Sequence, residues 1–123
     1  VPRSPAGWPE IAGFDMEKAA AILGEPDFFQ ELLVPFLRDA TPVVAEVRKL
    51  IDKGDASGAA RRVHKLRGQA GNLGAASLSA AAGLLEQALK LHSPELEQRF
   101  AEFAAAHTVA IPAAQKWQRM QRK

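Results

Sequence analysis

The residues best suited to chemistry lie in the segment 61-RRVHKLRGQAGNLG-74, where one histidine stands among several cations. Imidazole is a nucleophile and a proton acceptor near neutral pH. Arg61 precedes His64 by one helical turn, Lys65 follows it directly and Arg67 lies three residues on. The apolar positions recur at steps of three and four residues on another face of the predicted helix, namely Ala60, Val63, Leu66, Ala70 and Leu73. The pattern therefore predicts an outward-facing histidine in positively charged surroundings.

Glycines occupy positions 68, 71 and 74 of the same segment, although a glycine inside a helix costs about 0.5–1 kcal/mol relative to alanine. Helical Cβ bonds tilt toward the N-terminus, so a side chain at position 68 would lie across the His64 ring. We therefore expect Gly68 to leave the ring bare and Gly71 to clear the next turn. Gly74 is expected to end the helix.

An uncovered imidazole among cations is suited to one chemistry. Nearby positive charge disfavours a second positive charge on the ring, so the imidazole should stay largely neutral and nucleophilic at neutral pH. The same cations would bind the oxygens of a phosphoryl group carried by the ring. The sequence thus predicts that His64 is a phosphoacceptor.

The run 64-HKLRGQAGNLGA-75 resembles the histidine-containing phosphotransfer (HPt) domain. That family's signature is His, two variable residues, Lys, Gly, a small residue and an ending like Gly-Asn-Leu-Gly. The upstream stretch IAGFDMEKAAAILGEPDFFQELLVPFL is similar to the family's start, with an aspartate, a short helix, a leucine-glycine turn and a long helix that opens with aromatics. The resemblance covers roughly Ile11 to Leu91 and continues more loosely through the last helix.

The resemblance implies a phosphorelay intermediate, in which His64 takes a phosphoryl group from a receiver-domain aspartate and passes it to another receiver aspartate. Arg67 occupies the family's lysine position, which keeps the charge but changes the donor geometry. Gly68 is the family's glycine. Gln69 stands where a small or polar residue is usual, and we expect it to hydrogen-bond the phosphoryl group or the ring.

Arg61, Lys65 and Gly71 complete the residues assigned to phosphoryl stabilisation or partner binding. A solvated basic face explains Arg61 and Lys65 about as well as partner binding does.

The resemblance also implies partners and setting. We expect no cofactor and no autonomous catalysis, because Mg²⁺ and the acidic pocket belong to the receiver domain. The expected partners are the receivers of a hybrid kinase and of a response regulator, with neither nucleic acid nor direct membrane contact. We expect a monomer in the cytoplasm, where it could be the C-terminal domain of a membrane-anchored sensor kinase.

Two other classes of function stay open. An enzyme with His64 as general base or phospho-intermediate would need a second catalytic group, and no carboxylate falls within a helical turn of His64 on its face. The alternative is a passive helical interaction or dimerisation module of a signalling protein. Its nearest relative, the dimerisation domain of a histidine kinase, has an acid directly after the histidine, where this chain has Lys65.

Composition narrows the possibilities further. The chain has 123 residues, of which 47% are hydrophobic and 24% charged, as expected for one globular domain. A net charge of +2 is too small to indicate nucleic-acid binding, and the lack of cysteine excludes disulfides and thiolate metal sites. His92 and His107 show no metal-ligand spacing with His64; we expect His92 at a helix end and His107 partly buried and hydrogen-bonded.

The elements that position the histidine all have helical periodicity. We predict an all-α fold, an up-and-down antiparallel four-helix bundle with an additional short N-terminal helix. The domain should span residues 11–123, after a linker or expression remnant at 1–10. The expected elements are a short helix at 16–23, a long helix from Pro26 to about Lys53, one from about Ala56 to about Leu73, one from near Ser77, and one opened by 93-SPE-95.

Three prolines complicate these helices. Pro35 and Pro42 should kink the long helix or break it with Thr41 as a cap, and Pro112 should bend the last one. Phe28, Phe29, Phe100 and Phe103 are expected in the core, and Trp117 and Met120 of the basic tail KWQRMQRK are expected to pack inward.

Overall fold

The computed structural model describes residues 4–121, which form helices and no β-strand. The predicted all-α class is therefore confirmed. Six helices follow one another in this part of the chain: α1 (Met16–Leu23), α2 (Pro26–Ala40), α3 (Val43–Asp52), α4 (Ala56–Asn72), α5 (Ala76–Lys90) and α6 (Leu96–Gln121). None of these helices is long and apolar enough to cross a membrane.

The predicted long second helix is two helices, α2 and α3, separated at Thr41 and Pro42. Pro42 has no backbone N–H and takes the N-cap position of α3, whereas Thr41 bonds back through its hydroxyl to the Leu37 carbonyl. The Ala40 carbonyl at the end of α2 accepts a hydrogen bond from His107 Nε2 at 2.8 Å, so His107 is partly buried and hydrogen-bonded as predicted. Pro35 and Pro112 lie inside uninterrupted helices.

The turn after α4 contacts the start of α1. The Ala75 N–H donates to the Ala70 carbonyl at 2.9 Å and the Gly74 N–H to the Gly71 carbonyl at 3.2 Å, which is a Schellman ending. Gly74 has φ +80°, and a Cβ there would overlap the Asp15 carbonyl. Its own carbonyl accepts from the Asp15 N–H at 2.6 Å. Gly74 thus ends α4, as predicted, and lets the start of α1 pack on the turn.

Helix α4 lies between its neighbours α3 and α5, and α6 packs mainly on α5 with further contacts to α2 and α3. The predicted inner face of α4 is confirmed, because the side chains at its five apolar positions are buried. Large side chains of the core include Phe29, Leu33, Leu66, Leu78, Leu85 and Phe103. This packing holds the inner face of α4 in place and leaves the opposite face to solvent.

Several predictions about aromatic and terminal side chains need correction. Phe29 is fully buried, but its neighbour Phe28 is 47% exposed, because only one of two adjacent helical positions can face the core. Trp117 packs edge-on against Phe29 at 5.9 Å between ring centroids, whereas Met120 is 66% exposed. Trp8, inside the predicted linker, packs edge-on against the same ring at 6.2 Å. Trp8 thus packs on the core although the sequence analysis places it in a linker. Residues 1–3 of that linker and the last two residues of the tail lie outside the described part of the chain.

Candidate functional site

Helix α4 carries His64 on its solvent-exposed face, and its N-terminus is capped by Asp55. The Asp55 side chain accepts the Gly58 N–H at 2.9 Å, which satisfies one of the free donors of the first turn. The buried stripe of α4 then turns the opposite face outward, and the His64 side chain is 60% exposed. His64 therefore faces outward, as predicted.

A carboxylate that the sequence analysis missed lies against the ring. Glu86 of α5 places Oε2 2.9 Å from His64 Nδ1, and only 3% of Glu86 is exposed. A buried carboxylate needs hydrogen-bond donors, so Nδ1 is best assigned as the protonated nitrogen that donates to it. Nε2 then carries the free lone pair.

Two cations share Glu86 with the histidine. Lys90 Nζ lies 2.9 Å from Oε2, and Arg67 Nη1 lies 3.4 Å from Oε1 without making a hydrogen bond to it. Burial acts to raise the pKa of Glu86, but the Lys90 hydrogen bond, the Arg67 charge and the His64 contact together hold that pKa below its ordinary value of 4.5. Glu86 is therefore ionised at neutral pH and balances part of the positive charge around the ring.

Arg67 is close to the imidazole itself, with Nη2 3.3 Å from Nδ1. Arginine has only donors, so this contact can be a hydrogen bond only when Nδ1 lacks its proton. With Nδ1–H directed at Glu86, the guanidinium stands beside the ring as a charge. Its partly exposed position leaves donors available for an anion at the ring.

Glu86 also modifies the charge argument made from α4 alone. Arg61, Lys65 and Arg67 were expected to be the charges that act on the ring. The structure adds one anion in direct contact with Nδ1 and one further cation, Lys90. The imidazole therefore lies in a mixed electrostatic environment rather than in a purely positive one.

The other predicted site residues are distributed over different sides of α4. Arg61 lines a shallow groove together with His64, Glu86 and Lys90, whereas Lys65 is exposed and does not line that groove. Gln69 faces α2, where its amide nitrogen donates to Asp39 Oδ2 at 3.3 Å. Gln69 therefore makes no hydrogen bond to the ring in this structure, although we expected it to bond the ring or the phosphoryl group. Five helical residues rotate its side chain by about 140° from that of His64.

The glycines also act differently from the prediction. A Cβ at Gly68 would meet nothing within 4 Å, so an alanine methyl would not lie across the ring, which is held toward α5 by Glu86. Gly68 instead leaves open space beside the nucleophile. A Cβ at Gly71 would lie 3.4 Å from Ser79 Oγ, so Gly71 belongs to the contact between α4 and α5 rather than to an open surface.

Sequence reasoning missed Glu86, Lys90 and Gly83, all on α5. One signal was available for Glu86: it follows the buried Ala82 by four residues and precedes the buried Leu89 by three, and an acid on an apolar stripe requires a partner. Gly83 gives room to Arg67, because a Cβ there would lie 3.4 Å from Arg67 Cδ. No cluster of three or more histidine, cysteine or acidic side chains that could hold a metal ion occurs among residues 4–121.

Comparison with known proteins gives one match. The family model of the Hpt domain matches residues 31–120, from the middle of α2 almost to the end of α6. No curated protein and no solved structure matches the chain. The match includes most of the last helix, where the motif resemblance was looser, and it does not include the flank before residue 31. Because it covers well over half of the 123 residues and includes His64 with its surroundings, the chain belongs to the Hpt domain family, the phosphotransfer modules of two-component signalling that interact with receiver domains.

Proposed function

We propose that this chain is a phosphorelay intermediate. It accepts a phosphoryl group on His64 Nε2 from the aspartyl phosphate of one receiver domain and passes it to the aspartate of a response-regulator receiver. The observation that carries this proposal is the 2.9 Å contact between His64 Nδ1 and the buried Glu86. It directs one ring nitrogen inward and leaves the other as an exposed nucleophile.

The transfer step follows from that arrangement. The Nε2 lone pair forms a bond to phosphorus while the bond from phosphorus to the aspartate oxygen breaks, and the aspartate carboxylate leaves with the electron pair. The ring keeps its Nδ1 proton and gains a positive charge, which the adjacent Glu86 carboxylate stabilises. No proton has to be gained or lost, so the reverse reaction can deliver the phosphoryl group to the second receiver.

Cations on both helices support the phosphoryl group. Arg67 on α4 and Lys90 on α5 lie within reach of the ring, and Arg61 lines the groove on its other side. Charge-assisted hydrogen bonds to phosphoryl oxygens are shorter and stronger than neutral ones. Lys65 is exposed, and its part in the proposal is to attract an acidic partner rather than to touch the ring.

A hydrolase would need a second catalytic group, and Glu86 is a carboxylate that lies beside His64. That carboxylate is buried and bonded to Nδ1, so it cannot reach a substrate or an attacking water on the Nε2 side. We therefore propose a module without autonomous catalysis and without a cofactor of its own, with Mg²⁺ supplied by the receiver.

We also propose a finer arrangement of the helices that carry the site. The connections between α3 and α4, α4 and α5, and α5 and α6 are a few residues long, which favours antiparallel neighbours. Contacts of α6 with α2 and α3 then close an up-and-down four-helix bundle, in which α2 and α3 together take the place of one helix and α1 is the additional short helix. The proposal places this module in the cytoplasm, within reach of a hybrid sensor kinase.

A phosphotransfer assay tests the function. The chain is incubated with a phosphorylated receiver domain and Mg²⁺, and the label on the chain is tested for acid lability and base stability. We expect labelling of the wild type and of the matched control His92→Gln, which changes another exposed histidine. His64→Gln should carry no label, and transfer that persists in this variant would refute the assignment.

The passive alternative makes a different prediction. If the chain is only an interaction or dimerisation module, no phosphorylated receiver will label it. Its sedimentation should then show a dimer that the His64→Gln substitution does not affect.

A further inference from the structure

The outward side of α5, next to the nucleophile, has an unusual composition. Five of its residues lie at helical spacing and are uncharged, namely Ala80, Gly83, Leu84, Gln87 and the C-cap residue Leu91. We call these five residues the α5 face. Leu84 is 44% exposed and Leu91 is 72% exposed, and the face extends about 16 Å along the helix.

Charged side chains are almost missing from the solvent side of α5. Helix α5 lies wholly within the described part of the chain, and Lys90 is the one charged residue among its exposed residues. The exposed positions of α4, by contrast, include Arg61 and Lys65. Single exposed leucines are common, but two leucines on one uncharged helix face form a surface that a partner could cover.

The α5 face is continuous with the phosphoacceptor. A shallow groove beside His64 is lined by Arg67 and Lys90 together with most of the face, namely Ala80, Gly83, Leu84 and Gln87. Arg67 crosses over Gly83, since a Cβ there would lie 3.4 Å from Arg67 Cδ. A protein that reaches Nε2 from this side must therefore also contact the face.

The opposite flank of α4 differs, because two of its long polar side chains are engaged with other helices of the molecule. Arg62 binds Glu46 at 2.9 Å, and Gln69 binds Asp39 at 3.3 Å. A partner on that side would have to displace or desolvate these pairs.

We infer that the α5 face is the apolar half of the docking surface for the receiver domain, with Leu84 as its central contact. This inference rests on the proposed function. The receiver is the occupant that the charges favour, because its acidic phosphoacceptor pocket would meet the cations Arg61, Arg67 and Lys90 while its rim covers Leu84 and Leu91. A second copy of this chain would instead bring the same cations against one another across a two-fold axis.

The test compares receiver-dependent with receiver-independent phosphorylation of Leu84→Gln and Leu91→Gln. The matched control is Ile22→Gln, which alters an aliphatic side chain on α1 that is 55% exposed. The donor is a receiver domain that labels the wild type, and phosphoramidate serves as the small donor. All three residues are exposed, so the buried core is unchanged in each variant.

We expect Leu84→Gln to raise the KM for the receiver about tenfold and Leu91→Gln to raise it by a smaller factor. Ile22→Gln should change it less than about twofold. Labelling by phosphoramidate should be equal in the wild type and all three variants, because no docking is involved.

Three results would overturn the inference. An unchanged KM in Leu84→Gln would remove the α5 face from the docking surface, and a larger effect of Ile22→Gln would place the receiver on the side of α1. A wild-type dimer that Leu84→Gln dissociates would make a second copy the occupant. Failure of the proposed function would look different, because labelling would then not depend on His64.

Discussion

Replacement of Glu86 by glutamine tests the central feature of the site. Glutamine keeps the size of the side chain and an oxygen that can accept the Nδ1–H bond, so the ring should keep its orientation. It removes the negative charge that lies beside the imidazole, with Oε2 2.9 Å from Nδ1. The expected result is slower phosphotransfer with an unchanged affinity for the receiver.

The size of the effect follows from the geometry. Unit charges about 4 Å apart interact by about 4 kcal/mol at an effective dielectric constant near 20. This is an upper limit, because the His64 side chain is 60% exposed and only part of the ring charge has developed in the transition state. The stabilisation by a hydrogen bond to a charged group exceeds that by a neutral hydrogen bond by about 1–1.5 kcal/mol. Loss of this difference in the transition state would slow phosphotransfer by Glu86→Gln about five- to tenfold.

The assay is single-turnover transfer from a phosphorylated receiver, with the rate measured over a range of receiver concentrations. Glu46→Gln is the matched control, because Glu46 also binds an arginine, Arg62 at 2.9 Å, but lies away from His64. Denaturation curves of both variants report any loss of fold. A maximal rate within twofold of the wild type, or an effect confined to KM, would refute the proposed electrostatic role of Glu86.

Four further measurements test other features of the structure. Gly68→Ala should stabilise the fold by about 0.5–1 kcal/mol, leave labelling by phosphoramidate unchanged and slow only receiver-dependent transfer; slower phosphoramidate labelling would contradict the open space at this position. Gly74→Ala should destabilise by at least about 2 kcal/mol in urea denaturation, because φ is +80° and the methyl meets the Asp15 carbonyl. His92→Gly should raise the free energy of unfolding by about 1 kcal/mol, since His92 has φ +49°. The pKa of Glu86 is lowered from 4.5, so its contribution to the free energy of unfolding is present above that pH and is lost as the pH falls through the lowered value. The free energy of unfolding of Glu86→Gln should therefore fall less in acid than that of the wild type.

Local patterns predicted much of this molecule. Helical periodicity gave the all-α class, and capping and glycine signals placed the ends of α1 and α4 within one or two residues. The spacing of His64 relative to the buried stripe of α4 predicted its exposure. These features depend on residues within one or two turns of each other, which is the range over which helix geometry acts.

Predictions that extended from α4 to other helices were less successful. The motif places Gln69 at the phosphoryl group or the ring, but its amide binds Asp39 of α2. Helix spacing places Gly71 on an open surface, but it faces Ser79 of α5. Glu86 was missed, although it contacts the nucleophile. Each of these contacts joins residues on different helices, and their pairing depends on how the helices rotate and pack against one another.

By itself, the sequence determined that the chain is helical, that His64 faces outward among cations, and that its motif resembles the HPt signature. Only the tertiary structure decided which nitrogen of His64 is free, because that depends on Glu86, which is 22 residues away in the chain and is brought to the ring by the packing of α4 against α5. The charge balance of the site has the same origin. An imidazole acquires its orientation from the hydrogen bond that its other nitrogen makes, and in this protein that bond crosses between two helices.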